Sequence, residues 1–584
     1  MYLEKIQGPK DVKKLNVNEM QELAVEMRKA LLTKLSKHGG HFGPNFGMVE
    51  ATIAMHYVFD SPKDKIVYDV SHQSYPHKIL TGRKDAFLYE EHYDDVSGYS
   101  EPDESEHDHF IIGHTSTSVS LACGLAKGRD LCGGKENVIA VIGDGSLSGG
   151  EALEGLDYAS ELKSNLIIVI NDNDMSIAEN HGGLYQNLKL LRDTDGKAEC
   201  NLFKAMGLDY VFVKDGNDIQ QLIDAFTQVK DSTIPVAVHI CTQKGKGYAQ
   251  AEEHKEQWHY CAPFNIETGE SLYPMGGEDY SSVTADYLLK KMKEDPKVVA
   301  ITSATPTVMG FTEDKRKEAG SQFVDVGIAE ETAVALASGI AKNGGKPVYG
   351  VYSSFVQRTY DQLSQDLCIN NHAATIVVYA GTVFGMNDVT HLGLYDISMM
   401  ANIPNIVGIA PTTKQEYLAM LDWSIEQNAY PVCIRIPGGA MEEGEAVTKD
   451  YSKLNTYEML QKGSRVAIVA LGTFLGLGKE VAANLEKKTG TVATVINPVY
   501  YSGIDTGMLE SLKADHDVVI TIEDGILDGG FGEKITRFYG NSNMKVLNFG
   551  LKKEFLDRYD VQEVLTDNHL TKDQIVADIT EVLA

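Results

Sequence analysis

Two short stretches hold the side chains best suited to chemistry, 143–145 (GDG) and 171–173 (NDN). Both offer hard oxygen donors. In proteins Mg²⁺ takes a few carboxylate and amide oxygens together with phosphate oxygens, and glycine lets a backbone approach a phosphate closely. The two stretches therefore predict a site for a divalent cation and a diphosphate. The alternative is a pair of ordinary strand-to-helix turns, which GDG alone would favour and the second stretch disfavours.

Each stretch directly follows an apolar run typical of a buried strand, 138–142 (VIAVI) or 166–170 (LIIVI). The segment 150–162 between them has the pattern of a helix, so the three elements predict a βαβ unit. The carboxyl ends of parallel strands lie at one edge of a sheet. We therefore expect the two oxygen-rich turns to lie side by side or nearly so.

The same alternation continues along the chain and predicts an α/β fold of three doubly wound domains with mainly parallel sheets. An early helix is predicted to start near Asn18, with Gln21 completing a capping box. Polar segments at 265–285 and 441–455 are the predicted linkers. Further strands are predicted at 298–302, 323–326, 347–352, 375–379, 406–409, 465–470, 492–496 and 518–522.

Composition excludes several classes of function. The chain has 584 residues and a formal net charge of −30, which disfavours nucleic acid and anionic membranes as partners. It has no apolar run long enough to span a membrane and no signal-type segment at its start, so we expect a cytoplasmic protein. Its seven cysteines form no CxxC pair, which disfavours structural zinc.

Several stretches resemble those of a known enzyme family, the deoxyxylulose-phosphate synthases of the transketolase superfamily. The resemblance covers essentially the whole chain and implies a transketolase-like fold. It is carried by 38–41 (HGGH), 72–82 (HQSYPHKILTG), 113–118 (GHTSTS), 175–177 (MSI), 323–330 (FVDVGIAE), 352–362 (YSSFVQRTYDQ) and 523–530 (EDGILDGG). It implies three domains: a diphosphate-binding domain at 1–285, a pyrimidine-binding domain at 286–445 and a C-terminal transketolase-type domain at 446–584.

The resemblance also implies cofactors, thiamine diphosphate and Mg²⁺, and assigns residues to them. Asp144, Asn173 and the carbonyl of Met175 would hold the metal. Glu330 would bond the aminopyrimidine and start proton transfer within the cofactor. The other residues implied to contact the cofactor are Gly113, His114, Thr115, Gly143, Gly145, Ser146, Phe355 and Arg358.

The remaining catalytic residues that the resemblance implies are His41, His72, His259, His391 and Tyr352. The first three would transfer protons to the donor carbonyl oxygen, and His391 and Tyr352 match active-site positions on the facing domain. For each of these side chains the alternative is a satisfied structural residue, and for His114 that alternative is favoured. Lys244 lies in a loop like one near the family's cofactor, with a solvated loop as the alternative.

The implied reaction joins pyruvate, with loss of CO₂, to glyceraldehyde 3-phosphate and yields 1-deoxyxylulose 5-phosphate, a precursor for isoprenoid and thiamine biosynthesis. The resemblance further implies a homodimer. It predicts no nucleic-acid or membrane partner.

Departures from the family pattern lie on the acceptor side. The two arginines expected to bind the acceptor's phosphate fall at Tyr379 and Gly438, and a family aspartate falls at Asn387, next to Asp388. The segment after Asn180 is a few tens of residues shorter than usual. Two alternatives therefore stay open. One is a transketolase-like or acyloin-forming enzyme with another, less phosphorylated aldehyde, and the other is a non-catalytic cofactor-binding protein.

Overall fold

The computed structural model describes residues 1–273, 277–438, 441–445, 447 and 449–584. The chain divides into two compact units. Unit 1 comprises residues 1–276 and 327–329, and unit 2 comprises residues 277–326 and 330–584. The predicted linkers 265–285 and 441–455 include residues 274–276, 446 and 448, which lie outside the described ranges.

Unit 1 is built on a parallel sheet with the order β2-β3-β4-β6-β5, beside a small antiparallel pair of β1 and β7. Its strands are β1 (Gly40–His41), β2 (Lys65–Tyr68), β3 (Val138–Gly143), β4 (Leu166–Asp172), β5 (Asp209–Val213), β6 (Pro235–Cys241) and β7 (Tyr260–Cys261). Strands β3 and β4 are buried almost throughout, which explains their continuous apolar runs. They pair directly, with Gly143 opposite Asn171, so the prediction that the two turns lie side by side is confirmed.

Helices cover the sheet of unit 1. The α-helices are α1 (Pro9–Val12), α2 (Val17–His38), α3 (Gly43–Gly47), α4 (Val49–Val58), α5 (Tyr75–Lys78), α6 (Asp85–Leu88), α7 (Ser118–Leu131), α8 (Gly150–Leu162), α9 (Gly183–Asp193), α10 (Leu202–Ala205), α11 (Ile219–Val229) and α12 (Ala249–Glu253). The predicted cap of α2 is wrong by two residues. Asn16 accepts from the backbone of Glu19, and the Glu19 carboxylate accepts from the backbone of Asn16.

Unit 2 contains two sheets among its described residues. One is fully parallel, in the order β12-β13-β11-β10-β8-β9. The other has the order β14-β16-β15-β17-β18, in which only β14 is antiparallel. The strands are β8 (Val298–Thr302), β9 (Phe323–Asp325), β10 (Lys346–Tyr352), β11 (Thr375–Tyr379), β12 (Val407–Ile409), β13 (Val432–Arg435), β14 (Glu458–Gln461), β15 (Arg465–Ala470), β16 (Thr494–Asn497), β17 (His516–Ile526) and β18 (Lys545–Leu551).

The mainly parallel α/β fold predicted from sequence is confirmed, although five strands of unit 1 (β1, β2, β5, β6 and β7) and three of unit 2 (β13, β14 and β18) were not predicted. No helix among the described residues is long and apolar enough to cross a membrane. The α-helices of unit 2 are α13 (Tyr280–Glu294), α14 (Glu313–Ala319), α15 (Glu330–Lys342), α16 (Tyr360–Gln362), α17 (Asp396–Met400), α18 (Lys414–Glu426), α19 (Leu475–Thr489), α20 (Thr506–Leu512), α21 (Phe531–Tyr539), α22 (Val561–Asp567) and α23 (Lys572–Leu583).

Candidate active site

Asp144 organises the turns at the carboxyl edge of the unit 1 sheet. It follows β3, and its side chain is buried. Its Oδ2 accepts a hydrogen bond from the backbone N–H of Met175 (3.1 Å) and another from Asn180 Nδ2 (2.9 Å). Burial, and then the neighbouring carboxylate of Asp172, raise the pKa of Asp144. A bound cation would favour the charged form of this carboxyl group.

Asn173 offers the atom that most directly suits a metal. Its Oδ1 is buried and accepts no hydrogen bond from any residue that the structure describes. An orphaned buried acceptor costs free energy unless an absent group satisfies it. Because Asn173 lies in the turn whose Met175 amide bonds to Asp144, its side chain and that carboxylate fit a hard divalent cation.

The glycines of the first turn leave room for a ligand. A Cβ added to Gly145 would lie 2.9 Å from Cβ and Oγ of Ser176, so a larger residue there would displace the second turn. A Cβ added to Gly143 would meet no atom within 4 Å, so this position borders open space. The carbonyl of Ser146 accepts a hydrogen bond from Ser116 Oγ (2.8 Å), which joins the turn to the 113–118 loop.

That loop, which includes Gly113, His114 and Thr115, is held by a residue that the sequence interpretation missed. The buried carboxylate of Asp69 accepts hydrogen bonds from the backbone N–H groups of Ser116 (2.8 Å) and Ser118 (2.9 Å). The available signal was a carboxylate directly after β2, in the same position relative to its strand as the residues after β3 and β4.

Three predicted catalytic histidines come together in unit 1. The ring centroids of His41 and His72 are 5.0 Å apart, those of His72 and His259 are 5.2 Å apart, and those of His41 and His259 are 5.9 Å apart. The fully buried Asn45 donates from Nδ2 to the carbonyls of His41 (2.8 Å) and His72 (2.7 Å), which fixes two of the backbone segments. Lost hydration, together with the Lys244 charge, holds the pKa of His259 well below 6.5.

Lys244 is buried, so the alternative of a solvated loop is wrong for this residue. Its Nζ donates to the carbonyl of Ser176 at 2.5 Å. Burial lowers the pKa of Lys244 to about 7. The lysine therefore bonds to the residue that directly follows Met175.

In unit 2, Glu330 is the first residue of α15 and is 3% exposed. Its Oε2 lies 3.6 Å from Nη1 of Arg358, and within the described part of the chain this oxygen accepts no hydrogen bond. Burial raises the pKa of Glu330, and the Arg358 charge opposes that effect. A buried carboxyl oxygen with spare acceptor capacity suits an N–H donor of a bound heterocycle.

Aromatic side chains gather near the segment that carries Arg358. The ring of Phe355 is 5.6 Å from that of Tyr352 and 5.5 Å from that of His391. His391 Nδ1 also lies 3.1 Å from Asp388 Oδ1. Asn387, where the family aspartate was expected, instead donates from Nδ2 to the carbonyl of Tyr559 (3.3 Å).

Arg435 is engaged in a buried ion-pair network of unit 2. Its Nε donates to Asp396 Oδ2 (2.7 Å), and its Nη1 donates to Asp524 Oδ1 (2.6 Å). All three side chains are buried. Removing the arginine would leave two buried carboxylates without a counter-charge, so Arg435 is needed to stabilise the fold.

Comparison with known proteins gives full-length matches. The model of the family described as 1-deoxy-D-xylulose-5-phosphate synthase matches residues 3–201 and 194–242. The models for the transketolase pyrimidine binding domain and the transketolase C-terminal domain match residues 278–442 and 455–575. The 1-deoxy-D-xylulose-5-phosphate synthase of Carboxydothermus hydrogenoformans is 37% identical over 621 residues, covering 100% of this chain and 99% of that protein. The chain belongs to the 1-deoxy-D-xylulose-5-phosphate synthase family.

A second relative with that name, from Clostridium beijerinckii, is 38% identical and covers 96% of both chains. Among solved structures, a transketolase from Pichia stipitis in complex with sedoheptulose 7-phosphate is 16% identical, with a TM-score of 0.44 and coverage of 96% of this chain and 97% of that chain. Membership of the synthase family implies dependence on thiamine diphosphate.

Tyr379 and Gly438, the two positions where acceptor-binding arginines were expected, differ in their surroundings. The side chain of Tyr379 lies in the core with Tyr417 and is 4% exposed. Side chains alternate direction at the end of β11, which places position 379 inward. The atoms nearest to a Cβ built on Gly438 belong to Gly385 (Cα, 3.6 Å) and Ala380 (Cα and Cβ, 3.7 Å each), so small residues surround this position.

Proposed function

We propose that this chain is a thiamine-diphosphate- and Mg²⁺-dependent transferase that condenses pyruvate, with loss of CO₂, and glyceraldehyde 3-phosphate to 1-deoxy-D-xylulose 5-phosphate. The observation that carries the proposal is the buried Asn173 oxygen, which has no hydrogen-bond donor among the described residues, in the turn bonded to Asp144 and in a chain of this family. When bound, thiamine diphosphate supplies the electron sink for loss of CO₂ from a 2-oxo acid.

The turns of unit 1 would hold the charged end of the cofactor. Asp144, Asn173 and the Met175 carbonyl would bind the metal, because all three offer hard oxygens. Gly143, Gly145 and Ser146 would face the phosphates, as would the loop with Gly113, His114 and Thr115. The open space at Gly143 supports a close approach of the phosphate group.

Residues of unit 2 would hold and activate the heterocycle. Glu330 would accept a hydrogen bond at Oε2, and its raised pKa suits a group that takes up and returns a proton. Phe355 would provide an apolar face for the ring, with Tyr352 and His391 at its edges. Arg358 would hold the Glu330 carboxylate in place.

The histidine cluster of unit 1 would transfer protons to and from the substrate oxygens. His259 is neutral at physiological pH because its pKa lies well below 6.5, so its unprotonated nitrogen can accept a hydrogen bond. The rings of His41 and His72 each contact the ring of His259, and these two residues would orient the donor carbonyl.

The acceptor side supports a second candidate, a carboligase for a less phosphorylated aldehyde. Tyr379 and Gly438 stand where phosphate-binding arginines were expected, and Arg435 is held by two carboxylates. A tyrosine, alanine or glycine cannot replace bidentate pairing between guanidinium and phosphate.

We also propose that the protein is a cytoplasmic homodimer with domains at 1–285, 286–445 and 446–584. Its product would be a precursor for isoprenoid and thiamine biosynthesis. A monomer in light scattering at micromolar concentration would refute the dimer.

Incubation with thiamine diphosphate, Mg²⁺ and carboxyl-labelled pyruvate tests the reaction. We expect CO₂ release that depends on glyceraldehyde 3-phosphate and yields a five-carbon sugar phosphate. A kcat/KM for unphosphorylated glyceraldehyde equal to or above that for the phosphate would favour the second candidate. If CO₂ release is equally slow with glyceraldehyde 3-phosphate, with glyceraldehyde and without any aldehyde, both candidate functions are contradicted.

A further inference from the structure

One guanidinium holds both aspartates that flank Asn173. Nη1 of Arg192, on α9, lies 2.7 Å from each carboxylate oxygen of Asp172, and Nη2 lies 2.6 Å from Asp174 Oδ1. Asp172 is the last residue of β4, and Asp174 is two residues further on. The planar fork of the arginine therefore spans the whole turn, with Asn173 at its centre.

The inner aspartate is anchored to the sheet from its other side as well. Asp172 is buried and also bonds to His239 Nε2 on β6 (2.8 Å). The second nitrogen of that ring, Nδ1, bonds to the hydroxyl of Tyr210 on β5 (2.8 Å). The positive charge of Arg192 compensates the negative charge of Asp172, whose carboxylate is buried near the carboxylate of Asp144.

The outer aspartate has a backbone conformation that needs support. Asp174 has a backbone φ of +61°, in the left-handed region that residues other than glycine rarely adopt. Its N–H donates to Asp172 Oδ1 (3.1 Å), so the inner carboxylate stabilises this backbone too. The side chain of Asp174 is 65% exposed, and Arg192 is the group that ties it to α9.

We infer that Arg192 is a positioning residue for the metal and diphosphate site. By clamping Asp172 and Asp174 it holds the turn in which Met175 bonds to Asp144 and in which the buried Oδ1 of Asn173 accepts no hydrogen bond from the described residues. Groups that orient metal ligands in this way typically contribute about 10- to 100-fold to metal affinity. The inference rests on the proposed function, since it assumes that Asn173 binds a cation.

Isothermal titration of Mg²⁺ in the presence of thiamine diphosphate tests the clamp without measuring turnover. We expect Arg192→Gln to weaken Mg²⁺ binding about 10- to 100-fold. Arg192→Lys keeps the charge but loses the fork, so its affinity should lie between those of Arg192→Gln and the wild type. Asp174→Asn removes only the charge of the exposed contact, because the amide still offers an acceptor oxygen, and should weaken binding about threefold or more.

Arg129→Gln is the matched control. This arginine donates to the carbonyls of Glu136 and Asn165 (2.9 Å each), at the opposite, amino ends of β3 and β4. Its loss should lower the melting temperature of the ligand-free protein and leave Mg²⁺ affinity within about twofold of the wild type, since it lies at the far edge of the sheet.

The outcomes separate the two proposals. Wild-type affinity in folded Arg192→Gln and Asp174→Asn proteins would overturn the clamp, while the proposed function would stand. If Arg192→Gln does not fold, Asp174→Asn decides, and unchanged affinity in that variant overturns the clamp. If the wild-type protein binds neither Mg²⁺ nor thiamine diphosphate, the proposed function fails, and the clamp fails with it.

Discussion

Glu330→Gln is the substitution that most directly tests the proposed chemistry. Glutamine keeps the shape of the side chain at the start of α15, but it removes the charge and the basic oxygen. Glu330 is 3% exposed, and its Oε2 accepts no hydrogen bond from the described residues. The oxygen is therefore free to bond to a bound cofactor, and water reaches it poorly.

The size of the effect follows from that position. A correctly placed acid–base group contributes about 10²- to 10⁴-fold to a rate. At about 1.36 kcal/mol for each factor of ten, the variant should lose about 3 to 5 kcal/mol of transition-state stabilisation in kcat. Stability should change little, because the lost ion pair is long (3.6 Å) and the side chain of Arg358, which is 16% exposed, stays in contact with water.

The assay is kcat for CO₂ release from pyruvate at saturating cofactor, measured beside thiamine diphosphate affinity and melting temperature. Glu331→Gln is the control, because it changes the neighbouring, partly exposed residue of the same helix. We expect the control to keep kcat within about twofold. If Glu330→Gln retained more than about a tenth of wild-type kcat, the assignment of Glu330 as the proton-transferring group would be wrong.

Three further predictions concern single side chains. Asp388→Asn should lower kcat/KM about tenfold or more, because its carboxylate lies 3.1 Å from Nδ1 of His391 and orients that ring. Asn387→Ala should keep kcat/KM within about twofold of the wild type, and equal losses in the two variants would contradict the assignment. The ring resonances of His259 should stay constant in NMR spectra from pH 8 down to 6.5, because its pKa lies well below 6.5 and the ring stays neutral there; a midpoint at 6.5 would disprove this. Asn173→Ala should weaken Mg²⁺ binding about tenfold or more in calorimetry while the ligand-free protein melts no more than a few degrees lower, since the lost oxygen has no partner among described residues; unchanged Mg²⁺ affinity would exclude Asn173 as a ligand.

The sequence by itself determined the architecture around the diphosphate turns. Continuous apolar runs of the lengths found at β3 and β4, each bounded by a polar turn, are typical of central parallel strands, and the right-handed βαβ connection then places their ends side by side. The oxygen-rich turns could be recognised because they directly follow those runs. Motif placement alone also selected His41, His72 and His259, whose ring centroids lie between 5.0 and 5.9 Å from each other in the fold.

Only the tertiary structure decided which side chains support those residues. Asp69 reaches Ser116 and Ser118 across more than forty residues, and no local pattern encodes such a contact. Whether Lys244 is buried or solvated depends on elements that are distant in sequence.

Side-chain direction at strand ends was likewise decided by the fold. Tyr379 turns into the core and leaves Ala380 beside Gly438, and Asp388 rather than Asn387 reaches His391. A shift of one residue along an extended segment reverses the direction in which a side chain points. Spacing in the sequence can therefore predict that a residue lies near a site, but the packing of the surrounding elements decides whether its side chain faces that site.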